Sequence, residues 1–237
     1  MSLRVDQLVA GHGKVPVVRG LDLEVESGKV LALLGPNGAG KTTVMLTLAG
    51  LLPRLGGSVS VNGQVLPSGN PGKTNSSGVV LVPDNRALFG GLTVAETLTL
   101  SQRKGGVTAD QIRDLFPALT KRWKVKAGAL SGGEQQMLAV ARALVQKPAV
   151  LLIDEMSMGL APVIVEGLLP IVRDIADSTG TAVILVEQHV ALALEVADEA
   201  VVLVHGEVTL RRSADTLTAD SEELRQAYFG KAAQPAR

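Results

Sequence analysis

A glycine-rich segment that ends in a lysine and a threonine is the part of this 237-residue sequence best suited to chemistry. Gly35 to Thr42 reads Gly-Pro-Asn-Gly-Ala-Gly-Lys-Thr and matches the spacing G-x-x-x-x-G-K-[S/T]. Glycines let the backbone curl so that its N–H groups point at phosphate oxygens, and a helix N-terminus adds positive potential. The segment predicts a phosphate-binding loop in which Lys41 reaches the β- and γ-phosphates and Thr42 ligates Mg²⁺. A helical run over Thr43 to Leu51 is expected to follow the loop.

An acidic pair, Asp154 and Glu155, follows a continuously apolar run. The carboxyl ends of strands are where α/β proteins place ligands. A carboxylate there can hold Mg²⁺ through a water, and its neighbour can orient the attacking water or accept its proton. We therefore expect Asp154 to serve the metal and Glu155 to act as the catalytic base. Without a phosphate loop beside it, such a pair would equally suit helix capping.

The strands that must position these groups are visible as apolar runs. Four runs are continuously apolar, namely Val30 to Leu34, Val79 to Val82, Ala149 to Ile153 and Ala182 to Val186. Strands buried on both faces have this pattern, so the runs predict a parallel sheet covered by helices. Residues 3 to 26 alternate apolar and polar side chains, and an Asn62-Gly63 turn follows, which predicts an antiparallel β layer. A last hairpin is expected about His205-Gly206.

Helix starts replace strand patterns between Thr93 and about Lys147. Thr93, Thr108 and Ser131 each have Glu or Gln three residues later, which is the spacing of a capping box. We expect an α/β fold in a single domain over residues 1–237. Its nucleotide-binding core would consist of residues 1–92 and 148–237, with a helical subdomain, residues 93–147, inserted between strands.

Composition limits the partners and the compartment. Lys and Arg together number 23, as do Asp and Glu, so the net charge of zero gives no long-range attraction to nucleic acid. The absence of cysteine excludes thiolate zinc sites and fits a reducing cytoplasm. The apolar runs are far shorter than the roughly 20 residues that cross a bilayer. The N-terminus also lacks the pattern of a secretory signal.

A third short motif, Leu130-Ser131-Gly132-Gly133-Glu134, lies between the phosphate loop and the acidic pair. A helix cap explains Ser131 and Glu134 but not two glycines in a first helical turn, so a close approach to that backbone is expected. The three motifs in this order resemble the ATP-binding-cassette ATPases over roughly residues 3 to 230. The resemblance implies a P-loop NTPase core and ATP held between two head-to-tail subunits. Ser131 and the Gly133 amide would contact the γ-phosphate bound to the partner.

The resemblance also implies a set of site residues. ATP is expected to contact His12, the loop residues Gly35, Pro36, Asn37, Gly38, Ala39, Gly40, Lys41, Thr42 and Thr43, and, from the partner, Ser131, Gly132 and Gly133. Mg²⁺ is expected on Thr42, Asp84 and Asp154. Catalysis is expected from Glu155 and from Gln188, which occupies the position of the family's switch histidine.

Three of these positions depart from the family pattern. His12 stands where an aromatic residue usually stacks on adenine, and imidazole offers less surface than Tyr; a loop histidine without a ligand is the alternative. Asp84 replaces a glutamine, so metal contact and a loop-capping role both stay open. Gln188 can hydrogen-bond a phosphate but cannot carry positive charge, which implies slower hydrolysis.

Finer matches resemble the ATP-binding subunits of branched-chain amino-acid importers. These matches are the segments Ser157 to Pro162, Val186 to His189 and Ala227 to Gly230. They imply a motor subunit that pairs with a second copy or a paralogue and docks on transmembrane permease subunits at the cytoplasmic face of the membrane. Indirectly, it would serve a solute-binding protein. Importers of urea or short amides look similar enough to stay open.

Two further hypotheses belong to other functional classes. A cassette acting on ribosomes or DNA is disfavoured by the single module, the absent cysteine and the zero net charge, so no nucleic-acid partner is expected. A regulatory subunit that closes on ATP but scarcely hydrolyses it is kept open by Asp84 and Gln188. Glu155 argues against it, because a site that does not hydrolyse ATP has no need of the base.

Overall fold

Strand-forming residues fall where the apolar runs and the alternating segments predict them. The computed structural model describes residues 2–157, 159–187 and 189–229. In chain order the strands are β1 (Leu3–His12), β2 (Val15–Val25), β3 (Val30–Leu34), β4 (Gly56–Val61), β5 (Gln64–Val65), β6 (Val79–Val82), β7 (Val150–Asp154), β8 (Ala182–Val186), β9 (Glu199–Val204) and β10 (Glu207–Ser213).

Helices follow or precede the strands of the core and fill the long segment between β6 and β7. In chain order they are α1 (Lys41–Leu48), α2 (Pro71–Ser76), α3 (Val94–Ser101), α4 (Ala109–Leu115), α5 (Pro117–Thr120), α6 (Gly132–Leu144), α7 (Pro162–Thr179), α8 (Val190–Val196) and α9 (Glu222–Phe229). Among the described residues, none of these helices combines the length and apolar character needed to cross a membrane.

Two sheets form the framework. The larger has the strand order β10-β9-β3-β8-β7-β6, and its pairs from β9 to β6 are parallel. All residues of β3, β7 and β8 are buried, which confirms the prediction of a parallel sheet covered on both faces. The smaller sheet, β2-β1-β4-β5, is the predicted antiparallel layer. The β9–β10 hairpin turns at His205-Gly206, also as predicted.

The two cores on either side of the large sheet follow from strand periodicity. Leu31 and Leu33 of β3 point into a cluster with α1 and the antiparallel layer. Ala32 and Leu34 point into the opposite cluster, with residues of α3, α6 and α7. Because successive strand residues face opposite sides, one short strand joins both cores.

The helical segment begins its helices at the predicted caps. Thr93, Thr108 and Ser131 each form a complete capping box at the start of α3, α4 and α6, respectively. These helices and α5 all lie between β6 and β7 in the sequence, which agrees with an inserted helical segment. The exact domain boundaries at residues 92 and 147 stay a prediction.

One helix differs from its predicted span. The helical run after the phosphate loop was expected over Thr43 to Leu51, whereas α1 begins at Lys41 and ends at Leu48. Gly50 adopts a left-handed backbone with φ of 75°, which ends the helix. The earlier start places Lys41 and Thr42 in the first turn, where backbone N–H groups are available to an anion.

Helix α7 is tied to the sheet by a charged cluster around Asp198. The Asp198 carboxylate accepts hydrogen bonds from Lys29 Nζ at 2.8 Å, from the Val30 N–H at 2.8 Å and from Arg173 Nη1 at 2.6 Å. Arg173 belongs to α7, and Val30 begins β3. The cluster therefore fixes this helix against the strand that leads into the phosphate loop.

Candidate nucleotide site

The loop between β3 and α1 has a backbone that two glycines make possible. Gly35 has φ of 144°, and a Cβ there would lie 2.0 Å from the Leu203 carbonyl oxygen. Gly40 has φ of 105°, and its Cβ would lie 2.6 Å from Val18 Cγ2. Both positions combine a conformation that favours glycine with a lack of space for any side chain. The loop is thus packed closely between β9 and β2.

Lys41 is buried and is held by its own loop. Its ammonium donates hydrogen bonds to the carbonyl oxygens of Gly35 at 2.7 Å and Pro36 at 3.1 Å. Burial lowers its pKa, although the negative charges of Glu155 and Asp154 oppose this. An ammonium has three donors, so this arrangement leaves capacity for a phosphate oxygen.

Asp154 is the last residue of β7, and its residue surface is only 2 % exposed. Burial raises its pKa to about 6, and the nearby charges of Glu155 and Asp84 add to this, whereas the Thr42 hydroxyl and Lys41 act in the opposite direction. Its Oδ1 atom has no hydrogen-bond partner. A buried carboxylate oxygen without a partner, beside a hydroxyl, is the hard oxygen donor set that suits Mg²⁺.

Glu155 leaves the end of β7 in an unusual conformation. Its φ of 48° lies in the left-handed region, which is uncommon for a residue other than glycine. Its N–H donates to the Val186 carbonyl at 2.9 Å, one position beyond the β7–β8 pairing of Asp154 with Val186. The turn aims the residue into the cavity that the phosphate loop also lines.

That cavity has a volume of about 290 Å³ and a mainly polar lining. It is lined by His12, Val17, Asn37, Gly38, Gly40, Lys41, Thr42, Thr43 and Glu155. A cavity of about 370 Å³ elsewhere, near Lys29, Asp198 and Arg211, has these charges paired within the chain and no phosphate-binding backbone. The smaller cavity is therefore the candidate site.

His12 lies at the exposed end of β1 on the rim of this cavity. Its Nε2 is 3.3 Å from Thr43 Oγ1, which joins it to the first turn of α1. The structure thus brings His12 next to the phosphate loop, and its contact with adenine stays a prediction.

Asp84 lies outside the described cavity lining. It is exposed, and its Oδ1 accepts a hydrogen bond from the Asn85 N–H at 2.7 Å. Its charge still reaches the carboxylate of Asp154, whose pKa it raises. The loop-capping contact is thus present, and a metal contact stays a prediction. Gln188 lies outside the described residues.

The Ser131 motif forms a separate surface. Ser131 and Gly132 are exposed at the start of α6 and are not among the described residues that line the cavity. The Ser131 hydroxyl donates to Glu134 Oε2 at 2.9 Å, and Glu134 also pairs with Arg122 at 2.8 Å. The hydrogen bond from Arg122 lowers the pKa of Glu134. One chain therefore presents a phosphate cavity and, apart from it, an exposed helix start.

The second glycine of this motif has a reason within its own chain. A Cβ on Gly133 would lie 3.1 Å from Ile164 Cγ2, in the first turn of α7. The sequence predicts a close approach to this backbone, and at Gly133 the approaching atoms belong to α7. At Gly132 a Cβ would meet atoms no nearer than 3.7 Å, so its backbone is more open.

Tyr228 and Arg86, which the sequence did not single out, connect the site to distant elements. The Tyr228 hydroxyl in α9 accepts a hydrogen bond from the Gly35 N–H at 3.0 Å, across 193 positions of sequence. Burial raises the pKa of this tyrosine. Tyr228 lies in a segment noted for its family resemblance alone, and no local pattern predicts its contact with the phosphate loop.

Arg86 joins the loop that carries Asp84 to helix α6. Its Nε donates to Gln136 Oε1 and its Nη1 to Gln135 Oε1, each at 3.0 Å. Its backbone is left-handed, with φ of 62°. Arg142 in α6 donates back to the carbonyl oxygens of Arg86 and Ala87. The Asp84 loop and the helix that starts at the Ser131 motif are thus connected in both directions.

Comparison with known proteins gives matches over most of the chain. The family model described as "ABC transporter" matches residues 18–158. The branched-chain amino acid transport ATP-binding protein BraG of Pseudomonas aeruginosa is 37 % identical, with 96 % of this chain and 99 % of that protein covered. The probable branched-chain amino acid transport ATP-binding protein LivF of Archaeoglobus fulgidus is 36 % identical, with 91 % and 93 % covered.

Solved structures match the fold. An ATP-binding subunit of an ABC transporter is similar with a TM-score of 0.79 and 26 % identity, covering 91 % of both chains. The ADP conformation of an ATP-binding cassette gives a TM-score of 0.81 at 21 % identity, covering 98 % of this chain and all of that one. The likeness to the second structure, at this identity, bears on the fold alone.

Replacing Asp154 by Asn is expected to stabilise the chain without nucleotide by about 2–3 kcal/mol at pH 7.5, because a buried charge is removed. In the wild type, the folded pKa of about 6 lies above the ordinary value of 3.8. The free energy of unfolding therefore falls as the pH rises from about 4 to about 6 and is level above that range. Urea unfolding from pH 4 to pH 7.5 measures the difference between the two proteins.

The difference should be near zero at about pH 4 and complete above pH 6.5. Asp114→Asn is the control, because Asp114 is acidic and exposed in α4 and does not affect the pKa of Asp154. If Asp154→Asn were no more stable than the wild type at pH 7.5, the claim that burial of the charged Asp154 carboxylate destabilises the fold would be wrong.

Replacing Tyr228 by Phe is expected to weaken Mg-ATP binding about 3- to 10-fold, because the Gly35 N–H loses its acceptor and the start of the phosphate loop is less well held. Titration with a fluorescent ATP analogue measures this. Arg225→Ala changes an exposed residue of the same helix and should bind as the wild type does. Unchanged affinity in Tyr228→Phe would show that the Tyr228 hydroxyl does not position the phosphate loop.

Proposed function

This chain belongs to the ABC transporter family of ATPases, and from that premise we propose that it is the ATP-hydrolysing motor subunit of an importer of branched-chain amino acids. One observation carries the assignment of chemistry. The phosphate loop, Lys41 and the turn at Glu155 line a single cavity, beside the buried carboxylate of Asp154. These are the groups that ATP hydrolysis needs in one place.

Each residue has a role that its position supports. The loop N–H groups and Lys41 hold the triphosphate, and a water near Glu155 is oriented for attack on the γ-phosphorus, with Glu155 as proton acceptor. Thr42 and Asp154 would hold Mg²⁺, which neutralises charge that develops on the phosphates. Gln188 lies outside the described residues, and the family resemblance alone gives it a hydrogen bond to the γ-phosphate. It brings no positive charge, so turnover is slower than with a histidine.

A second copy of the chain or a paralogue completes the site. The cavity is open on the side away from the protein core, and the described residues that line it do not include the Ser131 motif. Ser131 and Gly132 are exposed, at a helix start that favours an anion. In a head-to-tail pair, Ser131 and the Gly133 amide of one subunit contact the γ-phosphate held by Lys41 of the other. ATP therefore acts as part of the interface.

Permease subunits provide the membrane path in this proposal. Phe89 is 69 % exposed and Leu100 is 74 % exposed, in the segment that follows Asp84 and in α3. Large apolar side chains that are exposed and close in sequence favour a protein contact. Arg86 links this region to α6, so docking there is coupled to the Ser131 motif. We place the subunit at the cytoplasmic face of the membrane, where a solute-binding protein acts only indirectly.

The choice of solute rests on the relatives. BraG and LivF are both named as branched-chain amino acid transport proteins, and each is matched over more than nine-tenths of its length. In this proposal the cavity holds ATP, so its lining does not bear on the choice of solute. Urea or a short amide is the alternative cargo, and transport measurements decide between them.

The ATPase assignment predicts that hydrolysis per molecule rises with protein concentration, because each site needs a second subunit. Glu155→Gln is expected to lower turnover at least about 100-fold while Mg-ATP binding persists, since the proton acceptor is lost. Phosphate release across a range of protein concentrations measures this, with light scattering for assembly. Glu155→Gln should accumulate as an ATP-bound dimer.

Ser131→Arg is the matched variant on the other surface. It should bind Mg-ATP as the wild type does and fail both to dimerise and to hydrolyse, because a long cation occupies the contact with the partner. Unchanged hydrolysis in Ser131→Arg would exclude the role of the motif in trans. ATP binding with closure but no turnover in the wild type would favour the regulatory alternative.

The solute assignment predicts that a deletion strain of the source organism loses most uptake of labelled leucine, isoleucine and valine and keeps its uptake of urea and acetamide. The wild-type chain should restore uptake, whereas Lys41→Ala and Glu155→Gln should not. Loss confined to urea or acetamide would reverse the choice of cargo. Restoration by Glu155→Gln would show that hydrolysis by this chain is dispensable.

A further inference from the structure

Glu187 is a buried acid beside the site, and the proposed mechanism does not use it. It follows β8 directly, and none of its surface is exposed. Both of its carboxylate oxygens accept hydrogen bonds from Ser157, whose N–H donates to Oε1 at 3.0 Å and whose hydroxyl donates to Oε2 at 2.5 Å. Ser157 is itself buried. A short side-chain pair thus joins the two loops that leave β7 and β8.

The Ser157–Glu187 pair connects β7 and β8 beyond the point where their backbone hydrogen bonds end. Parallel pairing between β7 and β8 ends with Asp154 opposite Val186, and the Glu155 N–H then donates to the Val186 carbonyl. Beyond this point the strands diverge into loops. The carboxylate of Glu187 extends the connection as far as Ser157, two residues past Glu155.

Glu155 needs such a restraint because its backbone is strained. A left-handed conformation is unfavourable for an L-residue other than glycine, and Glu155 has φ of 48°. Such a conformation persists only where the surrounding structure holds it. On the N-terminal side of Glu155, Asp154 is held by the sheet. On the C-terminal side, Ser157 is held by Glu187. Met156, between them and fully buried, packs into the core.

Burying a carboxylate is unfavourable unless its hydrogen bonds compensate, so a purely structural role would be met better by an apolar side chain. The acid accepts two donors from one residue, which fixes both the position and the orientation of Ser157. An apolar residue at 187 would fill the same space without fixing either.

We propose that Glu187 is a positioning residue for Glu155: by holding Ser157 through both carboxylate oxygens, it keeps the turn at Glu155 aimed into the phosphate cavity. The inference rests on the proposed function of Glu155 as the base in ATP hydrolysis. It assigns Glu187 no contact with ATP. Its effect is on the rate of the chemical step, because the substrate is bound by the phosphate loop and the base is displaced.

A matched control exists at the other end of the same strand. Thr181 immediately precedes β8, is buried, and donates its hydroxyl to the Pro148 carbonyl at 2.9 Å. Pro148 lies just before β7. Thr181 therefore joins the same two strands as Glu187 does, but at the edge away from the cavity. Thr181→Val removes a buried hydroxyl, together with its contacts to the Pro148 carbonyl and the Thr179 hydroxyl, without touching the site.

The experiment compares kcat, KM for Mg-ATP and nucleotide affinity in three variants of the clamp with those in Thr181→Val. Glu187→Leu is expected to lower kcat about 30-fold with Mg-ATP affinity within about twofold of the wild type, since a small displacement of a catalytic group has effects of this order. Ser157→Ala loses one of the two hydrogen bonds and should lower kcat about 5-fold. Glu187→Gln keeps an acceptor for the Ser157 N–H and should recover most of the rate.

Thr181→Val should keep the kcat of the wild type even where its melting temperature falls as far as that of Ser157→Ala. Equal losses of kcat in Thr181→Val and Ser157→Ala would reduce the pair to ordinary structural support and overturn the inference. An unchanged kcat in both Ser157→Ala and Glu187→Leu would overturn it as well. If Glu187→Leu does not fold, Ser157→Ala and Glu187→Gln still decide the question.

A double variant separates this inference from the assignment of Glu155. With Glu155→Gln in the background, Ser157→Ala is expected to cause no further loss of the residual hydrolysis, because there is no base left to position. A further 5-fold loss would show that Ser157 acts on another group, and the inference would fail while Glu155 kept its role. Full activity in Glu155→Gln alone would instead contradict the proposed function, whatever the clamp variants do.

Discussion

Parallel pairing of β3, β8 and β7 is the constraint on which the site depends. These neighbouring strands are buried on both faces and end at the same edge of the sheet, so the three loops that leave them are close together. The phosphate loop leaves β3, the Asp154–Glu155 turn leaves β7, and Glu187 leaves β8. Residues far apart in sequence thereby lie at one edge of the sheet. The hydrophobic burial of the strands, rather than any contact among the polar residues, sets this arrangement.

Polar groups around that edge are buried at a cost in stability. Lys41 and Asp154 have pKa values displaced by burial, in directions that disfavour their charged forms. Glu155 holds a strained backbone, and Asp154 keeps an oxygen without a partner. A chain selected for stability alone would carry apolar residues here. Under the proposed function, phosphate oxygens would pair with the Lys41 ammonium, and a divalent cation would pair with the Asp154 oxygen that has no hydrogen-bond partner.

The phosphate cavity and the exposed Ser131 motif are connected by side-chain contacts rather than by the sheet. Arg86 and Arg142 connect the Asp84 loop with α6, and Ile164 in α7 packs against Gly133 at the start of α6. Helix α7 in turn follows the turn that contains Glu155 and Ser157. The Ser131 motif is thus connected by packing and hydrogen bonds to both loops that lie near the Asp154 carboxylate. In a head-to-tail pair, this would let the state of one nucleotide affect the surface offered to the other.

Much of this architecture was predictable because it is local in sequence. Continuous apolar runs predicted β3, β6, β7 and β8, the Ser/Thr-x-x-Glu/Gln spacing predicted three capping boxes, and the glycine–lysine spacing predicted the loop at Gly35 to Thr42. Each of these signals reflects the conformational preference of a few adjacent residues, and such preferences are read without knowing the fold. The family resemblance also followed from motifs that are each contiguous.

Tertiary structure alone decided which distant groups meet. No periodicity or spacing links Tyr228 to Gly35, Ser157 to Glu187 or Ile164 to Gly133, because these contacts depend on how helices and loops pack on the finished sheet. The displaced pKa of Asp154 and the left-handed backbone of Glu155 likewise arise from surroundings assembled from separate segments. The sequence by itself determined the chemical groups and the strands that carry them. Packing determined their burial, their strain and their partners, since these are properties of long-range contacts that no local pattern records.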